Sequence, residues 1–222
     1  MFPSKRLAAL ALPLASVLFA ACSTSADESA NAGSKTLYFS AIPDDNKTEL
    51  AARYQLLADY LHDKLDVKVA YRPAANYSAS IESFKAGDIQ LAWFGGVSGV
   101  QAREAVPGAH AIAQGKVDPT YKAYFIANAS AGLEPTDTFP MAMEGKTFTF
   151  GDEGSTSGRI MPQYFLTQAT GKSPEEFFGH PNKFSGSHDR TAEMVQDGTV
   201  QCGALNYKTY DRLVAEGKID AT

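Results

Sequence analysis

Apolar positions along this chain switch repeatedly between two spacings, and the switches lay out its elements. Residues 36–41 alternate and stop before Pro43, which predicts a strand. Leu50, Tyr54, Leu57, Ala58, Leu61 and Leu65 recur at helical spacing. Asn46, with Glu49 three residues on, predicts a capping box at the start of that helix. A strand at 67–72 and a helix at 77–86 follow, the helix turning Ile81 and Phe84 inward. Next comes a buried strand at 89–94, closed by Gly95 and Gly96. A helix at 97–105 and strands at 109–114 and 121–128 complete this half. Residues 131–144 carry two prolines and break the rhythm, as a boundary between lobes does. It resumes with a strand at 146–150 and a helix whose apolar face begins at Ile160, Tyr164 and Phe165. Ser173-Pro-Glu-Glu176 has a capping Ser, a Pro at the first helical position and a closing Glu. A Gly/Ser turn at 184–188, a helix around 192–195, a strand at 202–206 and a last helix at 207–215 end the chain. Strands alternating with helices predict an α/β fold with largely parallel sheet covered on both faces.

Composition changes this picture little. The chain has 222 residues, 44% of them hydrophobic, enough for one domain or two lobes. Its net charge of -5 argues against nucleic acid or an anionic membrane surface as a general partner. The N-terminus stands apart from the fold. Lys5 and Arg6 precede an apolar run at 7–21 and then Cys22, the layout of an export signal over residues 1–22. Phe19-Ala-Ala-Cys22 resembles a bacterial lipobox, with Phe19 where a smaller aliphatic residue is usual. The resemblance implies lipidation of Cys22 and contact with the membrane only through that anchor. Residues 23–35 are rich in Ser, Ala, Asn and Gly without apolar period and read as a flexible tether. The other cysteine, Cys202, lies in an apolar run and reads as a buried, inert thiol. Neither cysteine has the histidine neighbours of a metal site, and no cofactor is implied.

Chemistry concentrates in Gly151-Asp-Glu-Gly-Ser-Thr-Ser-Gly-Arg159, between a strand and a helix. A helix start leaves backbone N–H groups unpaired and carries partial positive charge. Hydroxyls donate without adding charge, and glycines let a ligand approach the backbone. One hydroxyl suffices for an ordinary N-cap. Three in a row, Ser155, Thr156 and Ser157, between two glycines favour an anion cradle. A P-loop is excluded because Arg159 stands where Lys is needed, and a nucleophile elbow because Thr156 is at the central position. The turn at 184–188 is a second anion-competent strand end, where His188 adds a donor, charged or neutral, or merely caps a helix.

Taken in order, Asn76-Tyr-Ser-Ala-Ser-Ile-Glu-Ser-Phe84, Asp88-Ile-Gln-Leu-Ala-Trp-Phe-Gly95, Tyr121-Lys-Ala-Tyr-Phe-Ile-Ala-Asn128, Phe148-Thr-Phe-Gly151, Ser155-Thr-Ser-Gly158 and Ser185-Gly-Ser-His-Asp189 resemble the phosphonate/phosphate family of ABC-transporter substrate-binding proteins. The wording around Trp93 to Gln101 is similar to a branch described as selenate binders. The resemblance implies a type II periplasmic-binding-protein fold, two α/β lobes with a ligand cleft between them: lobe one at 36–130, the boundary at 131–144 and lobe two at 145–222. It implies that Ser155, Thr156, Ser157 and His188 hold the oxygens of a small tetrahedral oxyanion, closed over by Tyr77 and Tyr121. Trp93 and Phe94 then face the cleft or pack in the core. ABC-transporter permease subunits are the implied partners, in the periplasm or on the outer face of the cell membrane.

Two departures bear on this. Asn206-Tyr-Lys-Thr209 lacks the acid that aminoalkylphosphonate binders carry there, which favours phosphate, phosphite, a simple phosphonate or selenate. The family's chain also returns to lobe one after the helix at 207, whereas this one stops at Thr222, so either the sequence is a fragment or lobe one has an open sheet edge. Two other functions stay open on sequence. One is an exported hydrolase using Ser157 or Ser187 with His188, which requires a serine within reach of that histidine and an acid behind it. The other is an anion sensor serving a signalling kinase.

Overall fold

The structure, a computed structural model, describes residues 36–221. The export signal, Cys22 and the tether lie outside the described residues. Two three-stranded sheets organise the rest.

The first sheet has the order β2-β1-β3 and is parallel throughout. Its strands are β1 (Leu37–Ala41), β2 (Val69–Tyr71) and β3 (Leu91–Trp93). Helix α1 (Lys47–Leu65) packs Leu50 and Tyr54 on Phe39, with Leu57, Val69, Tyr71 and Leu91 around them. Its apolar face is buried only over the first turns, and Leu65 is exposed. The capping box at Asn46 is half made. The Asn46 side chain accepts from the amides of Thr48 and Glu49, but the Glu49 carboxylate pairs with Arg212 and Lys218 instead of turning back. Helix α2 (Tyr77–Ala86) fully buries Tyr77 and Ser80, with Ile81 and Phe84 half-buried. Helix α3 (Gly96–Ala105) follows β3. The strand expected at 89–94 is shorter and only half-buried, and both β2 and β3 are edges among the described residues. Residues 109–114 form no strand. Ile112 is exposed there, and an Ala-rich segment with no neighbouring strand has nothing to hold it in a sheet.

The second sheet has the order β4-β6-β5, from β4 (Ala123–Ala127), β5 (Phe148–Thr149) and β6 (Cys202–Asn206). β4 runs antiparallel to β6, so the largely parallel expectation fails on this edge. It also belongs to the second sheet, not with the first group of elements, and residues 131–144 lie within that second layer, burying Met143 against its core. Every residue of central β6 is buried, and its pleat serves two cores. Cys202 and Ala204 face Phe148, Phe150 and Leu166 on the side of α4 (Met161–Thr170) and α5 (Pro174–Phe178). Leu205 faces Ala192 and Leu213 of α6 (His188–Gln196) and α7 (Tyr207–Ala215). The cap of α5 is reciprocal as expected: Ser173 Oγ accepts from the Glu176 amide at 3.2 Å, and Glu176 accepts from the Ser173 amide at 2.8 Å. No described helix is long and apolar enough to cross a membrane.

Candidate functional site

β5 delivers the chain to Gly151, and the helix start folds directly back on it. The Gly151 amide donates to Gly158 O at 2.9 Å. A Cβ at Gly158 would stand 2.9 Å from Ser155 Oγ and 3.0 Å from His188 Cε1. These two glycines therefore let backbone pack on backbone and on an imidazole, rather than admit a ligand. Ser155 is the N-cap, its Oγ accepting from the Gly158 amide at 3.0 Å. The ordinary capping role thus belongs to this one hydroxyl. Thr156–Ile160 is a π-helical turn leading into α4, with the Ile160 amide reaching back to Ser155 O. A widened first turn leaves the Thr156 and Ser157 amides without intrahelical partners. The Ser157 hydroxyl has no protein partner among the described residues.

Thr156 joins the two sheets. Its Oγ1 accepts from the Val97 amide at the start of α3 at 2.9 Å, close over Gly95 and Gly96. A hydroxyl that accepts this bond keeps its own hydrogen to donate. Tyr77 lies beneath the same turn, buried, its hydroxyl facing Ser155 and its Cβ against Gly154. Burial pushes its phenol well above the ordinary tyrosine range, so it is a neutral donor.

His188 opens α6 and is 3% exposed. Its backbone amide donates to Asp44 O at 3.1 Å, a second bond across the sheets. Its Nδ1 accepts from the Asn206 amide at 3.2 Å, which leaves the proton on Nε2. Burial pushes the imidazole down to about 4, so it is neutral at ordinary pH and of the two expected forms only the uncharged donor stands. The Ser187 hydroxyl donates to Asp189, and Ser155 is spent on its cap. No serine is coupled to His188 in the manner a hydrolase requires, among the described residues.

Beside the cradle a cavity of about 430 Å³ opens between the sheets, lined among others by Asp44, Trp93, Tyr121, Asn206, Lys208 and Arg212. Tyr121 follows a short 3-10 turn at Asp118–Thr120 and packs edge-to-face on Tyr207 at 5.2 Å. Trp93 is 39% exposed on this cavity, whereas Phe94 turns away onto Phe84 at 5.6 Å. Tyr77, Ser155, Thr156, Ser157 and His188 do not line the cavity; His188 borders it through its bonds to Asp44 and Asn206.

The lining includes a residue that sequence reasoning missed, Asp44. Burial, then the neighbouring Asp45 carboxylate, pushes its carboxyl up to about 6. Its only sequence signal is the Pro43-Asp-Asp-Asn46 turn at the end of β1, which reads equally as a helix start. Next to it, Asp45 takes the Arg212 guanidinium at 2.7 and 2.9 Å. Burial raises Asp45 in spite of that partner. Burial also works against the Arg212 charge, but Asp45 and Glu216 outweigh it and raise Arg212. The two shifts disagree about whether the pair is favourable, and the short contacts of one guanidinium nitrogen, Nη2, to both Asp45 oxygens decide for an ionised one. Among the described residues no group of three His, Cys, Asp or Glu side chains is placed to hold a metal.

Comparison with known proteins places the fold and the family. Residues 39–222 match the model of a family described as ABC transporter, phosphonate, periplasmic substrate-binding protein. The probable ABC transporter phosphite binding protein PhnD1 of Prochlorococcus marinus is 42% identical over 179 residues, 80% of this chain and 60% of that protein. The phosphate-import protein PhnD of Mycolicibacterium smegmatis is 28% identical over 84% of this chain and 58% of its own length. The chain thus spans about three fifths of the length of these relatives. The solved structure of the Prochlorococcus protein with methylphosphonate superposes with a TM-score of 0.79 at 40% identity, covering 83% of this chain and 68% of that one. A binding protein component of an ABC phosphonate transporter from Pseudomonas aeruginosa, at 20% identity and a TM-score of 0.66, shares the fold. The two-sheet architecture is that of the type II periplasmic binding proteins.

Proposed function

This chain belongs to the family of periplasmic substrate-binding proteins of phosphonate ABC transporters, and from that premise we propose that it captures a small tetrahedral oxyanion between its two sheets for an ABC importer. The observation that carries the reading is the start of the π-helical turn. Two unpartnered amides and the hydroxyls of Thr156 and Ser157 sit there beside the neutral donors Tyr77 and His188. Phosphite, phosphate and simple phosphonates fit such a set, and selenate is the finer alternative.

Energetics ask for several of these donors at once. Micromolar capture needs roughly -8 kcal/mol. The helix terminus supplies about 0.3–2 kcal/mol, and each hydrogen bond to a charged group about 1.5–3 kcal/mol. Four to six bonds are therefore required, by order of magnitude. The Thr156 and Ser157 amides and hydroxyls with Tyr77, Tyr121 and His188 can supply them, while the dipole alone cannot. Neutral donors suit a cavity whose lining is balanced, Arg53, Lys208 and Arg212 against Asp44, Asp45 and Asp118. Export and anchoring through Cys22 complete the proposed role, with permease subunits as partners.

The single tryptophan, Trp93, stands on the cavity and reports binding by fluorescence. Titration of phosphite, methylphosphonate, phosphate, selenate and sulfate should give at least one micromolar isotherm. No binding below millimolar for any of them sinks the reading.

A further inference from the structure

We propose that Asp44 determines the specificity of this site by sharing one proton with the bound oxyanion, so that proton-bearing phosphorus oxyanions are accepted and proton-free anions such as selenate and sulfate are rejected. The inference rests on the oxyanion reading above and sharpens it to a class of ligand.

Asp44 is out of place in an anion site unless it has such a role. Asp44 lines the cavity, and its backbone carbonyl accepts from the His188 amide, which fixes it beside the second turn. Although the lining is balanced overall, no cation among the described residues forms an ion pair with Asp44, and Lys208 lies over the Tyr121 ring at 5.7 Å. Asp45 is adjacent on the same loop and Asp189 lies on α6, both raising the cost of ionising Asp44. Arg53 on α1 opposes them but makes no salt bridge to it, and Arg212 is committed to Asp45, Glu49 and Glu216. Two phenols, Tyr54 on α1 and Tyr121 before β4, share the cavity lining with it, as do Asp118 and Lys208; Tyr71 on β2 and Tyr77 on α2 lie outside the lining but also feel the Asp44 charge. Burial holds the carboxyl near the point where it is half protonated around pH 6.

An ionised Asp44 and a fully ionised ligand repel each other at close range, and one proton between them removes that repulsion. A monoprotonated phosphonate or phosphite brings that proton on a P–O–H, which donates to the carboxylate. The same single proton count arises if Asp44 keeps it and donates to the dianion. Selenate brings none near neutral pH, so Asp44 must take a proton from solvent, at about a tenfold loss of affinity for each pH unit above its pKa.

The test uses the full chain and Trp93 fluorescence, with methylphosphonate and selenate titrated separately between about pH 6 and about pH 8. In the wild type, the preference for methylphosphonate should widen by about tenfold or more across the range. In Asp44→Asn, which carries no titrating proton, the selenate profile should flatten and the preference should become pH-independent. A wild-type preference that stays constant with pH overturns the proposal, whatever the variant does. So does a variant that keeps the wild-type profile. If neither anion binds the wild type at any pH, the oxyanion reading itself has failed and this inference falls with it.

Discussion

Replacing Thr156 by Val separates the two roles its hydroxyl plays. The Oγ1 accepts from the Val97 amide at 2.9 Å and so ties the start of α3 to the cradle. Valine keeps the side-chain shape but puts a methyl where that oxygen was. A carbon needs about 3.5 Å to its neighbours, so α3 must back off by roughly half an ångström. The Val97 amide then loses its partner in a part-buried setting, at a cost of about 1–3 kcal/mol. Loss of a donor to the ligand falls within the same range. At about 1.4 kcal/mol per decade, affinity should fall by one to two decades. Thr156→Ser is the control. It keeps the oxygen and gives up one methyl near Gly96, about 0.8 kcal/mol at most. Trp93 titrations with methylphosphonate read the affinity, and urea unfolding of both variants reads the stability. A Val variant that binds like wild type, or a Ser variant that loses as much as Val, would show that the hydroxyl is not what Thr156 contributes.

Three further outcomes follow from particular contacts. Gly203→Ala places a Cβ 2.7 Å from Thr191 Cγ2 and 3.1 Å from Val195 Cγ2, so overpacking of β6 against α6 should cost about 1–3 kcal/mol in a denaturation midpoint; an unchanged midpoint refutes the fit. Arg212→Ala strands Asp45, which is 7% exposed, and should destabilise by roughly 1–3 kcal/mol after allowance for the partly exposed guanidinium, whereas Asp45→Asn with Arg212→Ala together should recover part of that loss. Stability against pH carries two opposed contributions. His188 is lowered from 6.5 to about 4, so its contribution is complete above about pH 6.5 and is lost as pH falls through that window; Asp44 is raised from 3.8 to about 6, so its penalty grows as pH rises between those values. Asp44→Asn should therefore lose stability on acidification from about pH 6 to about pH 4 more steeply than wild type, and parallel curves would contradict the shifts.

Local chemistry was legible without the fold. The Ser173/Glu176 cap, the helix over Tyr77–Ala86 and the apolar strand Cys202–Asn206 each follow from residues within a few positions of one another. The Ser-Thr-Ser turn could be singled out for the same reason, since a helix start and its hydroxyls are neighbours in the chain. What depended on distant partners could not be read. Nothing near Tyr121 says that β4 runs antiparallel beside β6, or that residues 109–114 find no strand to pair with. Glu49 has the spacing of a capping box, but Arg212 and Lys218 arrive from the other end of the chain and take its carboxylate. His188 could be charged or neutral until the Asn206 amide and complete burial made it neutral. Asp44 drew no reading from the sequence, because its raised carboxyl depends on burial in the folded chain. Spacing along the chain determined the elements and the donor-rich turn, because hydrogen bonds of caps and turns are made between near neighbours. Pairing, protonation and the division of labour among the three hydroxyls were decided only in the folded chain, because each depends on which group from elsewhere reaches the same few ångströms and excludes water.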